Sequence, residues 1–244
     1  MRFVRRMAAQ ARVPASPLGW RWLAFGLAAA LLLAVGLIGA ADLGRSRAVA
    51  AVTARAEDGS TLAIAILRGE LEKQRALPVI LARDPDVRSA LSGGSRHTLD
   101  LKFASIARET RTAVIYLLDV AGMAIAASNW DEPTGFVGND YAFRDYYLGA
   151  ILKGSAEQFA LGTVSQRPGL YLTSRIKDGE RLLGVVVVKV EFDRVEADWR
   201  ALGGQIYVAD QRGVVLLSTT ADWRFHVETP LDEDAVRQAA RALK

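Results

Sequence analysis

The sequence predicts an α+β protein: a long N-terminal helix, a five-stranded antiparallel sheet with flanking helices, and then the start of a second module of the same kind. Three observations carry this. Residues 182–192, Leu-Leu-Gly-Val-Val-Val-Val-Lys-Val-Glu-Phe, form a β-branched run of the type covered on both faces of a sheet. Four more runs of strand composition precede it, joined mostly by tight turns, with one helical segment crossing over after the second. Ahead of them, residues 43–76 contain no proline and place Ala63, Ile64, Leu67 and Leu71 at the spacing of one helical face.

The first element is a membrane segment. Residues 20–41 are apolar apart from Arg21 at the edge, long enough to span a bilayer and longer than the core of a cleaved signal peptide. They read as an uncleaved signal anchor, although Gly39, Ala40 and Ala41 leave cleavage open. Arg2, Arg5, Arg6, Arg12 and Arg21 lie before it or at its leading edge with no acidic residue, which places residues 1–19 in the cytoplasm and everything after Asp42 outside. From Trp22 onward 26 basic residues face 27 acidic ones, so the basic excess belongs to the anchor and nucleic acid is excluded as a partner. The chain has no cysteine, so neither disulfides nor thiolate metal sites hold the exported part.

The helix over 42–76 leaves the membrane. Gly59 and Gly69 each weaken it by up to about 1 kcal/mol, so packing must hold it, and its apolar stripe favours a parallel homodimer. Asp84-Pro85-Asp86 supplies a cap, a first-turn proline and an acidic first turn for a short helix ending near Ser92-Gly93-Gly94. Another helix opens at Thr98-Leu99-Asp100, with Leu99, Phe103, Ile106 and Ala107 on one face. Residues 112–118 and 123–128 form a hairpin about the turn 119–122. A loop over 129–140 leads to a helical segment over 141–152, followed by strands over 158–165, 169–176 and 181–192. This order suggests a sheet with helices on one side, of the PAS or Cache kind, over residues 77–200. Residues 193–202 read as a helix stopped by Gly203-Gly204. Strands over 205–210 and 214–218 then begin a second module, 201–244, too short for a core of its own.

Lys189 sits near the end of the most buried strand, and a buried ammonium needs an anion unless it snorkels outward or deprotonates. In the crossover, Tyr141-Ala-Phe-Arg144-Asp145-Tyr-Tyr147 gathers three tyrosines around an arginine, whose paired donors suit a carboxylate. The competing reading pairs Arg144 with Asp145 in solvent. Phe159, Leu161, Thr163 and Ser165 alternate onto one face of the third strand, as do Tyr171, Thr173 and Arg175 of the fourth. Two cations and several neutral donors that one pocket gathers would complement a small dianion; equally, Thr163 and Ser165 are the strand-end residues that water commonly covers.

These residues fall in a wider pattern. Val114-Ile-Tyr-Leu-Leu-Asp119, Ala126-Ala-Ser-Asn-Trp-Asp131, Phe136-Val-Gly-Asn139, Tyr141-Ala-Phe-Arg144, Phe159-Ala-Leu-Gly-Thr163, Gly169-Leu-Tyr171 and residues 185–192 follow in order. Over roughly residues 77–231 the chain resembles the extracytoplasmic domain of bacterial C4-dicarboxylate sensor histidine kinases, a double Cache, PAS-like region. The resemblance implies a membrane-distal module that binds succinate, malate or fumarate. It implies Tyr141, Arg144, Thr163, Ser165 and Lys189 as ligand contacts, with Ser128, Asn129 and Tyr171 as weaker candidates. It implies a bacterial inner-membrane location with the sensor domain in the periplasm, a dimer, no cofactor, and a response regulator reached through a kinase region that does not lie within these 244 residues. Asp145 departs from the family, which usually has proline there.

An enzyme reading finds little support. Ser174-Arg-Ile-Lys177 has a serine-x-x-lysine spacing, but at a strand end where that motif needs a helix N-terminus. His97 and His226 have no metal-ligand spacing, and Asp119 and Asp210 read as turn residues. Two other readings stay open. One is a membrane-anchored interaction protein in which Arg144 and Lys189 are exposed or paired with Asp145 or Glu191. The other is a Cache sensor of a chemoreceptor or cyclic-dinucleotide enzyme.

Overall fold

The computed structural model describes residues 17–227 and residue 236, with only the backbone described for residues 17–19, 21 and 23. Residues 1–16 of the segment expected to be cytoplasmic, and the second module beyond Val227 apart from residue 236, lie outside the described residues. The chain divides into two compact units, one up to Asp58 and one from Gly59. In the first unit, helix α1 (Pro17–Leu81) carries an 18-residue window of mean hydropathy 2.3 with none of it buried, long and apolar enough to cross a membrane. Leu31, Leu32, Leu33, Leu37 and Ile38 are all exposed.

In the second unit α1 runs to Leu81, five residues past its expected end, with Pro78 inside it. Pro78 lies in the last turn, where its ring removes a single N–H while its own carbonyl still accepts from Ala82 N at 2.9 Å. Burial of Leu81 and Ala82 in the core favours the extra turn. Helix α2 (Pro85–Leu91) starts as its sequence requires: Asp84 caps it, accepting from Asp86 N at 2.9 Å, with Pro85 in the first turn. Helix α3 (Arg96–Thr110) opens two residues before the expected start, because Ser95 is its cap and accepts from Thr98 N at 3.3 Å. Lys102 of α3 binds both Asp84 (2.7 Å) and Asp86 (2.6 Å), fastening the two helices together.

Strands β1 (Val114–Asp119), β2 (Ala124–Ala127), β3 (Ser155–Leu161), β4 (Pro168–Asp178) and β5 (Arg181–Val190) make one antiparallel sheet in the order β2-β1-β5-β4-β3. The period of two divides β5 between two cores. Val186, Val188 and Val190 pack with Ala63 and Leu81 of α1, Val87 of α2, and Leu99 and Phe103 of α3. Val185 and Val187 face Tyr116, Tyr141, Tyr146, Tyr147 and Tyr171. The second face is covered by the loop after β2 and by helix α4 (Asp145–Lys153), which starts four residues later than its expected span. Helices therefore flank both faces, not one. The connection from β2 at one edge to β3 at the other has to cross the sheet, and it does so over the face that the earlier helices leave free.

Strand β3 is shifted toward the N-terminus relative to its expected span. Its ladder closes at Leu161 opposite Pro168, and the chain then turns, with Gly162 N donating to Arg167 O at 3.0 Å and Gln166 at φ 51°. Thr163 and Ser165 therefore lie in a turn rather than on a strand face. Phe159 packs with the first core and Ala160 with the second, so the pocket side of β3 is the opposite face from the one predicted.

Helix α5 (Asp193–Leu202) has its expected bounds and ends at Gly203 with φ 80°, a backbone shape that glycine adopts freely. Strands β6 (Tyr207–Ala209) and β7 (Val215–Ser218) pair antiparallel as the start of the second module. Buried Glu196 of α5 ties them in, accepting from Ser218 N at 3.0 Å and pairing with Arg224. Trp199 Nε1 donates to Ala63 O at 3.0 Å, so α5 also grips α1.

Burial raises the Asp84 carboxyl, but its bonds from Lys102 and the helix N-terminus outweigh this and hold it below the ordinary 3.8. A depressed carboxylate stabilises the fold above its unfolded value and loses that contribution as pH falls through the native one. Asp84→Ala should therefore cost about 1–2 kcal/mol in urea unfolding at neutral pH, and the gap from the native chain should narrow as pH drops below 3.8.

Candidate ligand-binding site

The second face of the sheet is an aromatic floor with two buried cations. Tyr146 stacks on Tyr171 with ring centres 4.9 Å apart, and Tyr116 shares a 2.7 Å hydrogen bond with the Tyr146 hydroxyl. Tyr116 also meets Phe136 and Tyr141 at 5.1 and 5.4 Å. The helix beside this floor is held closely. Thr173 Oγ1 donates to Tyr146 O at 3.3 Å, Arg175 Nη1 to Ile151 O at 2.5 Å, and Tyr147 Oη to Val120 O at 2.9 Å. Gln158 Oε1 accepts from Tyr146 N at 3.1 Å. Thr173 and Arg175 thus share the face with Tyr171, as the alternation of β4 requires.

Arg144 immediately precedes α4 in extended conformation and is only 1% exposed. Its Nη2 donates to Leu161 O at 3.0 Å, while Nε and Nη1 are buried without a hydrogen-bond partner among the described residues. Its guanidinium carbon lies 5.9 Å from the ring centres of both Tyr146 and Tyr171 and 5.3 Å from that of Phe143. Asp145 is exposed and forms no ion pair with Arg144, so the solvent pairing considered from sequence does not occur. Asp145 instead supplies the acidic first turn of α4, which complements the helix dipole. A guanidinium stays charged in any protein, so burial with two idle donors leaves a demand for an oxygen anion.

Lys189 is fully buried on the same face, and Tyr171 is near both cations, its ring centre 6.0 Å from Lys189 Nζ. Gly169 makes room: a Cβ there would come within 3.1 Å of Lys189 Cε and 2.8 Å of Val190 O. Lys189 Nζ donates to Ser165 Oγ at 2.8 Å and to Glu191 Oε1 at 2.6 Å. Burial lowers its pKa below 10.5, and the Glu191 carboxylate opposes that shift without cancelling it.

Of the expected contacts, Tyr141, Arg144, Tyr171 and Lys189 come together. Ser165 joins them from the turn after β3, through Lys189. The Tyr141 hydroxyl is buried without a partner among the described residues, and burial pushes its pKa up to about 12. Asn129 is buried too: its Nδ2 donates to Thr134 O at 3.1 Å, and its Oδ1 has no partner. Ser128 bonds the backbone of β1, its Oγ accepting from Ile115 N at 3.0 Å. Thr163 is exposed, and its carbonyl accepts from Gln166 Nε2 at 2.7 Å. The strand ends before Thr163, so the expected alternation does not carry its side chain onto the floor. Sequence reading passed over Tyr116 and Tyr146 as site residues and gave Glu191 only as an alternative partner. The i, i+2 spacing of Lys189 and Glu191, which puts both on one side of an extended chain, is the signal for that ion pair.

Two predictions follow from this geometry. Replacing the underused buried cation with an apolar side chain of similar length, Arg144→Met, should leave the unliganded protein as stable or up to about 3 kcal/mol more stable in urea unfolding, while removing any anion binding. Burial raises the phenols of Tyr116, Tyr141, Tyr146 and Tyr171 above 10, so the folded state holds protons that the unfolded state releases. Stability should accordingly fall as pH rises past 10, and Tyr116→Phe should make that fall shallower.

No family model matches the chain. It is 48% identical over 226 residues to the C4-dicarboxylate transport sensor protein DctB of Rhizobium meliloti, covering 91% of this chain and 36% of that protein. It is 41% identical over 174 residues to the protein of the same name from Pseudomonas aeruginosa, covering 70% of this chain and 28% of that one. The chain thus spans about a third of the length of these relatives. Among solved structures, the sensor domain of the histidine kinase DctB of V. cholerae superimposes with a TM-score of 0.71 at 25% identity, covering 77% of this chain and 75% of that one. The ligand-binding domain of the Pseudomonas aeruginosa amino-acid chemoreceptor PctC, solved with GABA, shares the fold with a TM-score of 0.54 at 19% identity. The resemblance to a C4-dicarboxylate sensor region and the PAS-like, Cache-type fold read from the sequence are both borne out.

Proposed function

From this likeness to C4-dicarboxylate transport sensor proteins, we propose that the chain is the sensor part of a two-component histidine kinase and binds a C4-dicarboxylate on the tyrosine floor of its five-stranded sheet. The observation that carries the reading is Arg144: a buried guanidinium with two unpartnered donors, beside the unpartnered Tyr141 hydroxyl, is a site prepared for a carboxylate. Lys189, across Tyr171, takes the second carboxylate of succinate, malate or fumarate. Residues 20–41 anchor the chain in the inner membrane and the sheet lies in the periplasm, in a homodimer joined along the helix over 42–76. Ligand shifts the domain only as far as it binds one conformation better than another, and α1 carries that difference to the membrane and on to a kinase and its response regulator.

The internal pairing of Lys189 with Glu191 favours a second reading, an interaction domain with no small ligand. Arg144 weighs against it, because among the described residues no carboxylate pairs with it.

Calorimetric titration of the 244-residue chain in detergent micelles with succinate, L-malate, fumarate and butyrate tests the choice. Saturable dicarboxylate binding should appear, and Arg144→Ala and Lys189→Ala should each weaken it by about a hundredfold or more, the loss expected when one partner of a buried charge pair is removed. A folded protein that binds none of the three dicarboxylates would support the interaction domain.

A further inference from the structure

The two cations of the site stand in different states. Arg144 has no carboxylate partner among the described residues, whereas Lys189 already has one in Glu191 Oε1 at 2.6 Å. The other oxygen of the same carboxylate, Oε2, lies 3.1 Å from Arg167 Nη1. Glu191 is therefore shared between a fully buried ammonium and an arginine whose side chain is 57% exposed.

We propose that Glu191 is a specificity-determining residue: its carboxylate holds Lys189, and the second carboxylate of a dicarboxylate ligand must displace it onto Arg167. This inference rests on the dicarboxylate reading of the site. Charge counting supports it. With Lys189 and Glu191 neutralising each other, the site offers one cation uncompensated among the described residues, Arg144, which is enough for a monocarboxylate. A dianion brings a second negative charge that only Lys189 can receive, and there it exchanges one carboxylate for another. The net gain at Lys189 is then smaller than an unpaired ammonium would give and depends on how well Arg167 holds the released Glu191. Exposed Arg167, away from the tyrosine floor, thereby sets dicarboxylate affinity.

Arg167 also pairs with Asp193, Asp193 lies 3.9 Å from Arg224, and Arg224 binds Glu196, which accepts from Ser218 N. The displaced charge thus arrives at the head of an alternating ladder that ends on β7.

Titrating the full chain in detergent micelles with succinate and butyrate decides the matter. Glu191→Gln should tighten succinate by about fivefold or more, the lower end of measured site-to-site couplings, and leave butyrate unchanged. Arg167→Gln, a surface change that should not disturb folding, should weaken succinate, because Glu191 then has only Lys189 to hold. In the Glu191→Gln background the Arg167→Gln effect should vanish. Equal tightening of both ligands overturns the inference, since a general rise in positive potential does not discriminate between them. Succinate binding to the native chain that Glu191→Gln leaves unchanged or weakens also overturns it, with the dicarboxylate reading intact. Absence of succinate binding in the native chain and in folded Glu191→Gln alike overturns both.

Discussion

A permanently charged guanidinium enclosed by tyrosines is the constraint around which the second face of the sheet is organised. Taking an arginine out of water costs several kcal/mol even after relaxation, and the protein offsets only part of that cost. Leu161 O accepts one hydrogen bond, and the faces of Tyr146, Tyr171 and Phe143 supply cation–π attraction. Nε and Nη1 are left over. The remaining cost is carried by packing elsewhere, and α4 is held by several separate contacts: Gln158 and Tyr147 in its first turn, Thr173 and Arg175 along β4. A loosely held helix would let Arg144 swing out into water.

The first face makes that possible. The valines of β5 directed away from the tyrosines pack on α1, α2, α3 and α5 in a core of aliphatic and aromatic side chains. The buried polar groups of that face are paired, as in the Thr112–Gln74 bond of 2.6 Å and the Asp100 bond to Ala127 N of 2.8 Å. One strand therefore serves two purposes through its period of two. Odd-numbered residues from Val185 to Lys189 meet the site, even-numbered residues from Val186 to Val190 build stability, and a one-residue slip would bury neither set correctly.

How much of this was readable in the sequence depended on whether a signal was local. Asp84-Pro85 fixed the start of α2, and Gly203-Gly204 the end of α5, because caps and breakers act within a turn. The valine run located β5 for the same reason. The third strand was misplaced because Ser155-Ala-Glu157 looks like a loop, and only its tertiary partners make it a strand: Glu157 is paired with Arg75 of α1 by two bonds of 2.8 Å, and Ala156 N bonds the Thr173 hydroxyl. That shift leaves the Thr163 side chain exposed in the turn and the Ser165 hydroxyl bonded to Lys189. In the same way Arg144 and Lys189 could be proposed from residue type, but their unequal pairing could not. It depends on Glu191 and on the turn that brings Arg167 alongside, a contact across 24 residues of chain.

The placement of α5 gives the site its connection to the rest of the unit. Strand β5 ends at Val190 and α5 begins at Asp193, so only Glu191 and Phe192 separate the strand that carries Lys189 from a helix that holds two other elements. Trp199 fastens that helix to α1, and Glu196 fastens it to β7. Phe192 is buried in the first core and stacks near Phe159 of β3, so the two-residue link is packed rather than slack. Rigid packing at such a junction favours discrete rearrangements over gradual bending. A change in the partner of Glu191 therefore acts where the site, the long helix and the second sheet are all within one helix of each other.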